Sequence, residues 1–400
     1  MKKKGDLQME AHKKYDNIRA LSTVCIFIGL VAFMVALFFG FQERAWHAYL
    51  LSYFYFILLP LGALFFITVQ HTTKAGWSVH VRRLSEAITA YLPVACVLTL
   101  PLIYGAFSLY DWLDADKIAK DSLLAHKTPY LNLPFFLIRL GVFLGGWLFF
   151  AKKLVSFSLK QDQDGDLKWT HKSMKYSIAF LFFFALSLSL FSVDLLMSLD
   201  AHWFSTIFGV YVFAGLFQTI FAVLILLSAW LVRQNKEKYN SLINENHLHD
   251  MGKFLFAATV FWAYIAFSQY MLIWYANLPE ETTFFIPRSK GVWSIVSISL
   301  ILFKFVVPFL ILLPRQVKRS WQMMVPISCL ILLMQFMDLY WLIYPHFDAA
   351  FPRFSWMEGG IFLAFFGVFI RSVFSFLYKH SPVPLKDPRA QESLAHHVTY

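Results

Sequence analysis

The chain has 400 residues, of which 58% are hydrophobic and only 15% are charged, and its mean hydropathy is +0.57. This composition excludes an ordinary soluble α-protein, whose helices would be amphipathic rather than apolar on all sides. The net charge of +11 does not indicate a nucleic-acid partner, because the Lys and Arg residues lie mainly between long apolar stretches.

Ten apolar stretches are each long enough to cross a bilayer as a helix of about 20 residues. The sequence therefore predicts an all-α, polytopic membrane protein, with membrane lipid as its surroundings. Its membrane domain is expected over 20–378, between a polar segment over 1–19 and a tail over 379–400. The predicted spans are 20–41, 47–70, 87–110, 133–158, 173–197, 203–232, 253–277, 291–313, 322–344 and 356–378.

The Lys and Arg residues predict the orientation of these spans. Of the 35, the N-terminus, the C-terminus and the loops and helix ends on the same side hold 25, and the opposite loops hold seven. Basic residues concentrate on the cytoplasmic side of membrane proteins. Both termini are therefore expected in the cytoplasm.

No redox group of its own is predicted for the chain. Its three cysteines, Cys25, Cys96 and Cys329, lie in apolar stretches and show neither a haem-attachment motif nor an iron–sulfur spacing. No two histidines face each other at membrane depth, as the axial ligands of a cytochrome b would. Metal ligands are not expected either.

Charged and polar residues inside the spans are the candidate functional residues, because one charge at the centre of a membrane helix costs roughly 2.5–3.5 kcal/mol. They are expected to relay protons or to hydrogen-bond a quinone head group, both of which need shifted pKa values. The alternative is that they pair with one another as structural contacts. The candidates are Arg139, Ser187, Asp194, Asp200, His202, Tyr264, Lys304 and Asp338.

Helical spacing groups some of these candidates. Ser187 and Asp194 are seven residues apart, which places them on one face of the fifth span. Tyr264 begins a similar stripe on the seventh span. Pro308 removes a hydrogen bond to the carbonyl of Lys304, so that a kink and an intramembrane cation coincide in the eighth span.

Four segments carry a family resemblance. They resemble the NrfD-like (polysulfide reductase-type) membrane subunits of bacterial alternative complex III, a quinol:cytochrome c oxidoreductase. Of the two such subunits in that complex, the chain is most similar to the smaller one, described as quinone-binding subunit 2. Lys304 departs from the family, which commonly has His there, and Leu195 stands where Trp usually follows the Asp. The segments are LLPLGALFFITVQHTTKAGWSVHVRRLSEA (58–87), SVDLLMSLDAHWFSTIFGVYVFAG (192–215), WAYIAFSQYMLIWYANLPEET (262–282) and VVPFLILLPRQVKR (306–319).

The resemblance implies two four-helix bundles, over about 47–197 and 203–344, flanked by the first and tenth spans. It implies a multi-pass protein of the bacterial inner membrane. The implied partners are an iron–sulfur subunit, multihaem cytochrome c subunits and a second NrfD-like subunit. Haem c and iron–sulfur clusters would belong to those partners, and quinone or menaquinol would be the substrate of the complex.

The leading hypothesis is a membrane subunit without a redox centre that contributes a polar path for proton transfer and a quinone-binding surface. Asp194, Asp200, His202, Arg139 and Asp338 would line the path. A structural anchor for the redox subunits is a second interpretation. A third is a stand-alone secondary transporter, since paired bundles and broken helices suit one.

Overall fold

The computed structural model describes residues 4–397, with side chains from Tyr15 onward except that of Lys238. The predicted fold class is confirmed, because the described part of the chain contains helices and no strand. The ends of the predicted terminal segments, residues 1–3 and 398–400, lie outside the described residues.

Within residues 4–397, ten helices are long and apolar enough to cross a membrane. We number them α1 to α10 in chain order. The second half of α3 follows a short break at residues 90–91, and α8 contains a π-helical segment over Leu300–Val306. The helices are Lys4–Phe38, Gln42–Thr72, Val79–Leu109, Leu133–Asp164, Leu167–Leu195, Phe208–Gln234, Glu245–Ala276, Gly291–Leu312, Trp321–Phe347 and Trp356–Lys379.

Polar sequence at the helix ends explains where the observed helices differ from the predicted spans. α7 begins at Glu245, eight residues before the predicted start at 253, because Asn244 and His247 form a capping box around its first turn. α6 begins at Phe208 rather than 203, because Asp200 accepts the N–H groups of His202 and Trp203 and holds a turn before it.

The helices pack in two rings of four. In the first ring α2 contacts α3 and α5, and α4 contacts α3 and α5. The second ring repeats this order, with α6 against α7 and α9, and α8 against α7 and α9. α2 also contacts α6 and α9 of the second ring, and it is buried at every residue from Ala45 to Leu64. The matching order makes the third helix of the first ring, α4, equivalent to α8, and its fourth helix, α5, equivalent to α9.

The two ends of this array need names. One end contains the last residue of α10 and the connections α2–α3, α4–α5, α6–α7 and α8–α9. We call this end the terminal face. The other end is the opposite face. The tail after α10 runs along the terminal face, where Asp387 pairs with Arg82, and His396 contacts Asp250 at 2.5 Å. The tail thus joins the first ring to the second.

α1 and α10 form a pair outside the rings, and small residues set their close approach. A Cβ on Gly29 would lie 2.4 Å from Ala364 Cβ and 2.5 Å from the Gly360 carbonyl oxygen. A Cβ on Gly360 would likewise meet Ala32 Cβ at 2.6 Å. Small residues let membrane helices approach until their backbones nearly touch. Close packing of small residues, rather than ion pairing, therefore holds α1 against α10.

Gly29→Leu should separate α1 from α10 and destabilise the protein by about 1–3 kcal/mol, the usual cost of overpacking. The matched control is Gly141→Leu, because no atom lies within 4 Å of the corresponding Cβ position on α4. Thermal unfolding in detergent micelles measures both. Equal melting temperatures for the two variants would contradict the close α1–α10 contact.

Candidate functional site

The first buried charge cluster joins α4 to α5, and we call it the Asp194 cluster. Arg139 donates from Nε to Asp194 Oδ2 at 2.8 Å and from Nη2 to Asp194 Oδ1 at 3.0 Å. The Tyr130 hydroxyl donates to Oδ1 at 3.0 Å. Arg139 also donates from Nη1 to the Tyr130 carbonyl at 3.0 Å, and its guanidinium lies 3.9 Å from the Tyr130 ring centre. A two-pronged pair of this kind fixes both partners in orientation.

The Asp194 cluster is closed to solvent on its carboxylate side, since Asp194 is fully buried. Tyr130, which lies in the loop before α4, is half-buried. Burial and the neighbouring Asp194 carboxylate raise the pKa of Tyr130 to about 12, so the hydroxyl keeps its proton and donates it to the hydrogen bond. A protonated phenol beside a carboxylate is a group through which a proton can be exchanged.

The second cluster joins α6, α8 and α9, and we call it the Asp338 cluster. Lys304 Nζ donates to Asp338 Oδ2 at 2.5 Å and to Gln335 Oε1 at 2.8 Å. The Tyr211 hydroxyl donates to Asp338 Oδ1 through a short hydrogen bond. Lys304 Nζ also lies 4.4 Å from the Trp262 ring centre, a cation–π distance. Lys304 and Asp338 are both essentially without solvent exposure.

The backbone around Lys304 departs from a regular α-helix. Lys304 lies in the π-helical segment Leu300–Val306, just before Pro308. Gln218 Nε2, on α6, donates to the Lys304 carbonyl oxygen at 3.2 Å and to Thr259 Oγ1 at 3.0 Å. The carbonyl that Pro308 leaves without its helical donor is therefore satisfied by a side chain. Such π-helical turns are frequent at functional sites.

The two clusters occupy equivalent places in the two rings. Each has its cation on the third helix of a ring and its carboxylate on the fourth, and each carboxylate accepts a tyrosine hydroxyl. Their depths differ. Asp194 is one residue from the end of α5, whereas Asp338 is nine residues, or about 14 Å, from the end of α9 at the same face. The Asp338 cluster is thus the deeper of the two.

The structure places Ser187 on the same face of α5 as Asp194 but does not connect the two. The Ser187 hydroxyl accepts a hydrogen bond from Trp147 Nε1 at 2.8 Å. Phe191, fully buried, lies between them along the helix, with its ring centre 4.9 Å from that of Trp147. Between Ser187 and Asp194, this face of α5 therefore carries an aromatic ring and not a continuous row of polar side chains.

Asp200 and His202 lie at the opposite face, outside both clusters. His202 is mostly exposed, and its Nε2 contacts Asp121 Oδ2 at 2.5 Å. Asp200 caps the turn before α6, and its Oδ2 lies 3.8 Å from Nδ1 of His346. The structure thus gives both residues contacts that hold the loops of this face together.

Tyr264 lies on the outer surface of the protein. It is 64% exposed, and Tyr275, three turns further along the same helix, is 83% exposed. The buried face of α7 is instead formed by Trp262, Ile265 and Gln269. Tyr264 therefore belongs to neither cluster, and its exposed aromatic stripe suits the lipid-facing side of a membrane helix.

Several partners in the clusters were not among the predicted residues. Tyr130 and Tyr211 carry no charge, and nothing in their spacing relates them to Asp194 or Asp338. A third buried pair was also missed. Glu358 accepts from Arg44 Nε at 2.8 Å and from the Tyr344 hydroxyl at 2.8 Å, and is itself fully buried. The capping box of Ser355 with Glu358 is a local sequence signal that could have identified this site.

Comparison with known proteins adds no relative. No family model matches the sequence, and no curated protein matches it. The class that the fold defines is an integral membrane protein with ten helices able to span a bilayer.

Lys304→Met should destabilise the protein by about 3–5 kcal/mol, because it leaves Asp338 buried without its cation. The double variant Lys304→Met, Asp338→Leu should recover much of that loss. Lys117→Met is the control, since Lys117 pairs with Asp111 at the exposed surface, where ion pairs contribute little. Unfolding in a graded detergent series measures the four proteins. A Lys304→Met protein as stable as Lys117→Met would contradict the buried pair.

Proposed function

We propose that this chain is a proton-transferring membrane subunit of a quinol:cytochrome c oxidoreductase of the alternative complex III type. The terminal face would be cytoplasmic, in accordance with its excess of Lys and Arg. Electrons would pass through haem c and iron–sulfur centres on partner subunits. This chain would supply groups that take up and release protons within the membrane.

The observation that carries the proposal is the composition of the Asp338 cluster. A carboxylate, an ammonium group, a phenol and an amide are hydrogen-bonded to one another on helices of the second ring, with Asp338 and Lys304 shielded from solvent. A charge so far from water is costly, so such residues in membrane segments commonly mark proton or ion pathways.

The chemistry follows from the hydrogen bonds. When a proton reaches Asp338, the carboxyl becomes neutral and its attraction for Lys304 weakens. Lys304 can then give a proton to an acceptor or turn toward Gln335 Oε1, which it already contacts at 2.8 Å. The Tyr211 hydroxyl donates to the other carboxylate oxygen and stabilises Asp338 while it is ionised. The Asp194 cluster offers the same pairing nearer the opposite face, where a proton would leave.

The lining of one large crevice favours a proton-transfer role over quinol oxidation in this chain. This crevice of about 550 Å³ lies between α2, α6, α9 and α10 and is lined almost wholly by aliphatic and aromatic side chains. Among the described residues that line it, the only hydroxyl is that of Tyr55, which already donates to the Leu332 carbonyl at 3.2 Å. A quinone head group needs hydrogen-bond donors for its carbonyl oxygens, and this lining offers little to it.

A structural anchor is the second candidate, and one observation favours it. Both oxygens of Asp194 and both oxygens of Asp338 already accept hydrogen bonds, so the clusters are satisfied at rest. Such pairs hold helices together without taking part in turnover. The two candidate functions predict different effects when a buried carboxylate of the assembled complex is replaced by an uncharged group of the same shape.

In the complex that assembles, Asp338→Asn should slow quinol-dependent reduction of cytochrome c, or the accompanying proton release, at least about tenfold, because general acid–base groups typically contribute that much or more. Asp194→Asn should act in the same direction. The measurement is made on purified complex of verified subunit composition, with stopped-flow absorbance and a pH-sensitive dye.

Asp116→Asn is the matched control, since Asp116 lies in an exposed loop helix and should have no effect. Normal turnover and normal proton release in assembled Asp338→Asn complex would remove Asp338 from the mechanism. Loss of assembly in both buried variants, with normal turnover in whatever complex remains, would support the anchor instead.

A further inference from the structure

A second crevice, away from both clusters, lies between α3, α4 and α10 near the terminal face. Its volume is about 470 Å³. The break in α3 at residues 90–91, followed by Pro93, shapes one wall, and one face of α4 forms the other. Phe376 of α10 contributes to the lining. Pro93, Lys152 and Lys160 of its lining are exposed, so the crevice is open at the surface of the protein.

The lining changes from polar to apolar along the membrane normal. On α4 the polar side chains Lys152, Lys160 and Gln163 line the crevice at helical spacing toward the terminal face, and Leu148 lies deeper. α3 shows the same gradient, with Glu86 and Thr89 before Ala90 and Pro93. On both helices the innermost lining residues are apolar and the charged side chains lie nearer the terminal face, as the acyl chains and head group of a phospholipid require.

The open charges in this crevice are positive. Glu86 is buried and is paired with Arg83, whose Nε lies 3.0 Å from its Oε2. Lys152 and Lys160 are both exposed, and among the described residues neither forms an ion pair. Lys160 rests on the Trp169 ring, with Nζ 5.0 Å from the ring centre. The two ammonium groups are therefore available to an anion.

The depth of Lys152 suits a lipid phosphate. A helix crosses a hydrocarbon core of about 30 Å in about 20 residues. A crossing that starts at Leu133 therefore ends near Lys152, which is where the lipid head groups begin. Lys160 lies two turns further along α4, beyond the hydrocarbon.

We infer that this crevice binds an anionic phospholipid. Lys152 and Lys160 would hold the head-group phosphate, and an acyl chain would lie along Leu148 and Pro93. Basic pockets between membrane helices on the cytoplasmic side bind acidic lipid head groups in this way. Lys153 provides the internal comparison, because it is exposed on the same helix one residue later but does not line the crevice.

The test is native mass spectrometry of the full-length protein, delipidated in mild detergent and titrated with phosphatidylglycerol or phosphatidylcholine. The unmodified protein and Lys153→Gln should bind phosphatidylglycerol equally well. The double variant Lys152→Gln, Lys160→Gln should bind it about 30-fold more weakly, since each lysine near a membrane surface contributes roughly fivefold. The double variant Lys152→Arg, Lys160→Arg should retain binding.

Three results would overturn the inference. The first is undiminished phosphatidylglycerol binding by the double Gln variant. The second is equal affinity for phosphatidylcholine, which would show that the acyl chain alone is recognised. The third is displacement of the lipid by inorganic phosphate, which would identify a soluble anion as the ligand. Melting temperatures measured without added lipid confirm that all variants are folded, since both lysines are exposed.

Discussion

The cost of a charge away from water governs the arrangement of this protein. Asp194, Asp338 and Glu358 have almost no solvent exposure, and each is paired with a cation and a tyrosine hydroxyl on another segment of the chain. Removing one partner from such a pair costs far more than the pair itself contributes. The helices that carry the partners must therefore stay adjacent, and the pairs define which helices can be neighbours: α4 with α5, α8 with α9, and α2 with α10.

The two rings follow the same plan with different chemistry at different depths. Arg139 holds Asp194 with two parallel hydrogen bonds at a helix end, whereas Lys304 holds Asp338 about 12 Å further in by a single ammonium group. An Arg guanidinium stays charged, but an ammonium group in an apolar setting gives up its proton more readily. The cation of the deeper pair can thus release a proton, whereas in the shallower pair only the carboxylate and the tyrosine hydroxyl can exchange one. The backbone of the two sites differs as well, because the helix is π-helical at Lys304 whereas α4 has no π-helical turn at Arg139.

The sequence predicted the helices well and the contacts between them poorly. Span length and the all-α class are local properties, so ten spans could be read from hydropathy alone. Arg139 and Asp194 were both singled out, but they are 55 residues apart and nothing in the spacing links them.

For Tyr264, the sequence predicted the helical stripe but not the direction in which the stripe faces. Its stripe has correct helical periodicity, yet periodicity does not distinguish the side facing lipid from the side facing protein when both surroundings are apolar. The lining of the crevice at Lys152 depends on three helices meeting, which no single segment encodes.

Infrared difference spectroscopy of the assembled complex during quinol oxidation tests the central claim most directly, because a carboxyl group absorbs differently when it gains or loses a proton. Proton transfer through the Asp338 cluster predicts a carboxyl band that changes on turnover and is absent in Asp338→Asn. Identical difference spectra from the unmodified and Asp338→Asn complexes in the carboxyl region would contradict it.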